Sequence, residues 1–202
     1  MAEKIKKIMP RAAFKRLCHL YTRMEESYLL AAREIGLSCT DCPDNCCTSY
    51  FQHHTRVEWA YFIKGLNQIH EHLRQRITMR AESYIQQAQL EMSQGRTPDI
   101  MCPVNEDGMC TLYAHRLMIC RLHGVPNVHI RPDGKTFQFP GCFRAQKKTG
   151  SADPLSRLDR TPFYRELAAL EKAFVGPRIA RFPRVKLTLA EMIVQGPPKM
   201  SV

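Results

Sequence analysis

A chain of 202 residues with 44% hydrophobic content is long enough to bury a core of its own, so a folded globular protein is expected. Lys and Arg number 30 against 19 Asp and Glu, a formal charge of +11, which favours acidic partners without naming one. The N-terminus is basic and broken by charges (Lys4, Lys6, Lys7, Arg11, Lys15, Arg16), so it does not read as a secretory signal. No segment has the length and apolarity of a membrane span. A reducing, cytoplasmic setting follows as the expectation, and there clustered cysteines serve as ligands or redox groups more often than as disulfides.

In chain order, Phe14, Leu17, Tyr21, Met24, Tyr28, Ala31 and Ile35 recur at helical spacing, and Gly36 is a natural stop, so a helix is predicted from Pro10 to Ile35. Cys18 falls inside it and reads as a core residue. Thr55 and Glu58 have the spacing of a capping box, and Trp59, Phe62, Ile63, Leu66, Ile69, Leu73, Ile77, Tyr84, Ile85 and Ala88 continue an apolar stripe behind them. Gly65 and Asn67 divide that stripe into two helices. Val128–Arg131 and Thr136–Phe139 flank the turn sequence Pro132-Asp133-Gly134, which predicts a small hairpin. Thr161 and Pro162 open another helix, through Phe163, Leu167, Leu170 and Phe174, that Gly176 closes. A second capping-box pair, Thr188 and Glu191, precedes a last short helix ending near Gly196. Residues 146–154 read as a polar linker. The expected architecture is mainly α, of the α+β class: a single cysteine-rich helical domain with a small β-hairpin. Its parts are an N-terminal amphipathic helix (1–36), a cysteine cluster core (37–145) and a C-terminal helical extension (146–202) packed on the same domain.

The chemistry lies in the cysteines. Ser38-Cys39-Thr40-Asp41-Cys42-Pro43-Asp44-Asn45-Cys46-Cys47 carries four thiols in a loop of turn formers. Two cysteines separated by two residues can share a metal, because a tight turn brings their sulfurs to one tetrahedral edge. Neighbouring side chains diverge, so Cys46 and Cys47 are expected to reach two irons of one cluster or two separate sites. Cys102, Cys110, Cys120 and Cys142 form a second set, with Pro103, Asp107 and Gly108 shaping a turn between its first two members. Eight thiols divide into two four-sulfur sites, or into one site with four supporting thiols, and the spacing leaves the pairing open. Arg116, Arg121 and Arg144 adjoin the second set and suit cations that hold thiolates deprotonated. His53, His54, His115 and His123 are nearby candidates to replace a cysteine, whereas His70 and His72 read as an exposed helix face.

The first cluster, together with Cys102, Cys110-Thr111-Leu112-Tyr113, Arg116 and Cys120-Arg121, resembles the YkgJ-type cysteine cluster family of zinc- or iron-chelating proteins. The resemblance spans about Cys39 to Cys142. This chain departs from it in having Leu117 where the family pattern has proline, and in a longer spacing before Cys46. The resemblance implies ligand roles for Cys39, Cys42, Cys46, Cys47, Cys102, Cys110, Cys120 and Cys142, with Tyr113, Arg116 and Arg121 supporting the cofactor.

An iron–sulfur cluster implies electron transfer or redox sensing, and zinc a structural module for a protein or nucleic-acid partner, since an all-thiolate zinc has no redox step and no water to activate. Iron is preferred, on the vicinal pair and the total of eight. Related clusters occur in flagellin lysine N-methylases, which admits a protein-modifying enzyme, but no glycine-rich methyl-donor loop supports it. No paired carboxylates or nucleophile with a base stand at recognisable spacing, so no reaction is assigned. An unidentified protein partner is expected, with nucleic acid as the lesser possibility.

Overall fold

A computed structural model describes residues 6–39, 42, 46–149 and 157–200. Lys4, Thr40, Asp41, Pro43, Asp44 and Asn45, and positions 150–154 of the expected linker, lie outside the described residues. Among those described, seven α-helices run Pro10–Glu34 (α1), Arg56–Leu66 (α2), Glu71–Ser93 (α3), Met118–Leu122 (α4), Phe143–Thr149 (α5), Thr161–Val175 (α6) and Leu189–Gln195 (α7). Five short strands are Asn105–Glu106 (β1), Met109–Cys110 (β2), Asn127–Ile130 (β3), Thr136–Phe139 (β4) and Leu158–Asp159 (β5). The protein is therefore mainly α with a small β component, as the periodicity predicts. No described helix is long and apolar enough to cross a membrane.

The described residues pack as two compact units. One is built on Cys47–Leu117 and the stretch from Glu171 onward, with the described residues before Pro10; the other on Pro10–Cys46 and Met118–Leu170. In the first, α3 and α2 both pack on α7 around Phe62, Ile77 and Met192, which are all but sealed from solvent. Trp59 donates its indole N–H to the Met192 carbonyl at 3.3 Å. α7 begins with the predicted capping box: Thr188 Oγ1 accepts the Glu191 N–H at 3.2 Å, and Glu191 Oε2 accepts the Thr188 N–H at 2.7 Å. The box expected at α2 does not form. Thr55 gives its hydroxyl proton to the Glu58 carboxylate, and Glu171 takes the Val57 N–H instead, at 2.9 Å. β1 and β2 pair across Asp107 (φ 50°) and Gly108 (φ 83°), two left-handed residues suited to a two-residue hairpin turn.

In the second unit α1 buries Ala13, Leu17, Leu20, Tyr21 and Met24 and packs on α4 and β5. It ends in paired bonds at Gly36 (φ 60°): Gly36 N–H to Arg33 O at 3.0 Å and Leu37 N–H to Ala32 O at 2.8 Å, a Schellman stop. Cys18 is exposed, which corrects the expectation of a core cysteine. It follows Leu17 by one residue, about 100° around the helix, and so leaves the buried stripe. The sheet has the order β4-β3-β5, antiparallel between β3 and β4 and parallel between β3 and β5. The β3–β4 hairpin forms where predicted, with Gly134 at φ 80°. Residues Gln146–Thr149, expected in a linker, are the C-terminal half of α5. At α6 the Thr161 hydroxyl accepts the Ile130 N–H at 2.9 Å, so the expected cap residue ties the helix to β3.

Candidate metal centre

The α1 stop determines where the first cysteine loop begins. Because the chain turns at Gly36, Cys39 comes back toward Tyr28, whose hydroxyl lies 3.8 Å from Cys39 Sγ. Tyr28 belongs to the apolar stripe by periodicity but carries a polar end that needs a partner. Its Oη occupies the space that a side chain on Gly124 would fill: a Cβ there would lie 2.6 Å from it. Gly124 has φ 120° and its carbonyl accepts the Cys142 N–H at 2.9 Å. Gly141 (φ 86°) allows that approach, since a Cβ on it would come within 2.7 Å of the Gly124 oxygen and 2.9 Å of Ala145 Cβ. Two glycines therefore let the backbone after α4 meet the backbone before α5, and Tyr28 and Cys142 are seated on the junction.

Four thiols share this neighbourhood. Burial raises the Tyr28 pKa well above its ordinary value, and the charges of Cys39, Cys142 and Cys46 push the same way, so the phenol stays protonated and can donate to sulfur. Arg144, on the first turn of α5, hydrogen-bonds Cys42 and lies in the field of Cys42, Cys39 and Cys142, which raises its pKa. Cys39 and Cys46 from the loop thus lie within electrostatic reach of Tyr28, and Cys39 and Cys42 of Arg144, as does Cys142 in both cases, from a stretch about a hundred residues later. Cys39 and Cys46 are exposed and Cys42 and Cys142 half-buried. Soft donors with a neighbouring cation fit a thiolate-bound metal or cluster. No group of three His, Cys, Asp or Glu side chains stands at direct ligand spacing among the described residues.

The remaining predicted ligands are placed differently. Cys47, Cys102 and Cys110 belong to the unit of α2, α3 and α7. The Cys102 N–H bonds the Cys47 carbonyl at 3.0 Å, and Cys102 and Cys110 both pack on the hydrophobic core of that unit. Burial, followed by the Cys102 charge, pushes Tyr84 up to about 12. The boundary between the units falls between Cys46 and Cys47. Cys120 is half-buried in α4.

Among the predicted supporting residues, Arg121 lies over the Tyr21 ring at 4.1 Å and Arg116 over the exposed Tyr113 ring at 4.9 Å. His115 packs on Tyr61, with ring centroids 4.5 Å apart, and against Gly65. His53 is buried, bridging Leu187 through its backbone, and burial, followed by the neighbouring His54, lowers its pKa to about 3. His54 Nδ1 lies 3.1 Å from the Val185 carbonyl, and His70, the N-cap of α3, and His72, on its first turn, are exposed and stacked. Periodicity places Tyr28 only in the apolar stripe of α1, and Gly124 and Gly141 carry no site signal beyond a glycine directly before Cys142. No family model, no curated protein and no solved structure matches the chain.

Proposed function

We propose that this chain is a cytoplasmic metal-binding protein whose principal centre is held by Cys39, Cys42, Cys46 and Cys142, with an iron–sulfur cluster preferred to zinc and electron transfer or redox sensing as its role. One observation carries the reading: thiols from two stretches distant in sequence gather around Tyr28 and Arg144. A bound cluster would supply a one-electron step at these sulfurs. The chain's own part is to hold the thiols and balance their charge. Arg144 offsets the negative charge of the thiolates, the Tyr28 hydroxyl donates toward Cys39, and Gly124 fixes the backbone of Cys142. The vicinal Cys46 and Cys47, and the further group of Cys47, Cys102 and Cys110, support iron and a second centre, and the likeness to the YkgJ-type family points to the same cysteines.

The test is serine substitution at Cys39, Cys42, Cys46 and Cys142, with Cys18→Ser as the exposed control. Each of the four is expected to lower bound metal and melting temperature together, because ligation and folding are coupled. Arg144→Gln is expected to weaken metal binding by about 10–100-fold. Full metal content in the four serine variants contradicts the reading.

A further inference from the structure

The β3–β4 hairpin presents a face that the cysteine chemistry does not use. Every residue of β4 is exposed, and it is an edge strand of its sheet. Phe137 and Phe139 stand two residues apart, on one face of the pleat, and stay 41% and 47% exposed. Their pairing partners on β3 are His129 and Asn127. Large apolar rings left on solvent beside a buried sheet residue call for an explanation in a chain that seals Phe62 to 1%.

Cations surround the rings. The Arg131 guanidinium lies 5.8 Å from the Phe137 centroid and that of Arg160 5.7 Å from the Phe139 centroid. Arg160 is buried and donates to the Leu122 carbonyl, so it is fixed in place, while its Nε is buried with no hydrogen-bond partner. On the first turn of α6, the Tyr164 ring packs tilted against His129, with centroids 4.3 Å apart. Burial lowers the His129 pKa; Asp159 opposes that effect, while Arg131, Arg160 and Arg165 all reinforce it. Lys135 closes the tip of the hairpin through its carbonyl bond to the Arg131 N–H at 2.9 Å. The acidic groups are Asp133, paired with Arg131 at 3.2 Å, and Asp159, whose carboxylate accepts the Thr161 N–H. The balance is positive, in a chain of net charge +11.

We propose that the face formed by β3, β4 and the first turn of α6 binds single-stranded nucleic acid, with bases stacked on Phe137 and Phe139 and phosphates neutralised by Arg131, Lys135 and Arg165. An acidic peptide would be satisfied by the charges alone and gives the exposed rings no role. Unpaired bases use both: each ring has a guanidinium against it and a large part of its surface open, an aromatic and cationic platform that tolerates any base. Duplex DNA keeps its bases stacked on one another and cannot use the rings. The inference does not depend on the metal centre.

Fluorescence anisotropy with a labelled oligothymidylate across a salt series tests it, with polyglutamate as competitor. The expected result is binding at low salt that falls linearly in log–log form and that polyglutamate displaces poorly. Phe137→Ala with Phe139→Ala should weaken binding at least about tenfold, and Arg131→Gln with Arg165→Gln should flatten the salt slope by about 0.7 for each phosphate no longer neutralised. Tryptophan at both phenylalanine positions keeps the stacking surface and should retain binding, which decides the matter if the alanine pair proves unstable. Absence of binding at low salt, binding indifferent to the phenylalanine changes, loss of binding in the tryptophan pair, or equal competition by polyglutamate would overturn it.

Discussion

Replacing Gly124 by alanine places a methyl group 2.6 Å from the Tyr28 hydroxyl while requiring an L-residue to hold φ 120°. The backbone strain costs about 1–3 kcal/mol, and the overpacking costs a similar amount, about 1–3 kcal/mol. A loss of about 3 kcal/mol is large against a total stability of about 5–15 kcal/mol. The two parts separate in a double-mutant cycle with Tyr28→Phe. Removing the hydroxyl leaves the ring carbon at 3.5 Å as the nearest contact of the new methyl, an ordinary distance, so the steric part disappears and the φ strain remains. Tyr28→Phe alone forfeits only the contact with Cys39, worth about 0.5–1.5 kcal/mol. Urea denaturation of the metal-stripped chain, followed by circular dichroism, should therefore show a coupling of about 1–3 kcal/mol, the double variant being more stable than the sum predicts. Additivity within about 0.5 kcal/mol would mean that Tyr28 does not sit on Gly124, and the geometry assigned to the cysteine cradle would fall with it.

The pH dependence of stability should carry a His53 contribution. Its folded pKa is depressed to about 3, so the folded state favours neutral imidazole while the unfolded chain takes up a proton near the ordinary value of about 6.5. Stability from this group is complete above about pH 6.5 and is lost as pH falls toward about 3, with a slope approaching about 1.4 kcal/mol per pH unit. His53→Gln should flatten that slope; an unchanged acid limb would contradict the assignment. Glu171→Ala removes the acceptor of the Val57 N–H and leaves the buried Arg56 guanidinium, 3.8 Å from the carboxylate, without its counter-ion. A loss of about 3–5 kcal/mol is expected in denaturant melts, and a loss below about 1 kcal/mol would show the pair to be incidental. Gly65→Ala would gain about 1 kcal/mol of helix propensity in α2, but its Cβ would lie 2.4 Å from His115 Cγ, an overlap costing about 1–3 kcal/mol. Net destabilisation that His115→Ala reverses is the expected result, and a stabilised single variant would refute the contact.

What the sequence made legible was local. Gly36 stops α1, and Thr188 with Glu191 caps α7, as each signal predicts from within the few residues it organises. The same pattern at Thr55 and Glu58 places the start of α2, with Thr55 as its N-cap, but not the bonds, because the acceptor that reaches the Val57 N–H is 114 residues away. Cys18 was misread for a geometric reason: one residue after a buried leucine is a different face of a helix. The linker reading of Gln146–Thr149 failed because polarity alone does not separate a loop from an exposed helix such as α5. At the candidate site the cysteines are legible by their spacing in the sequence. The joining of Cys142 to the loop thiols is not, since it depends on backbone contact between Gly124 and Gly141, which no periodicity encodes.

The central claim concerns what the thiols hold. Metal and acid-labile sulfide should be measured per chain, with a visible spectrum, on protein purified without oxygen or added metal, in parallel with Cys142→Ser. The account predicts iron with sulfide and a broad visible absorption, both lost in the variant. Stoichiometric zinc without colour would contradict the redox role and leave a structural zinc module, and a chain that carries neither metal, with the variant unchanged, would contradict the centre itself.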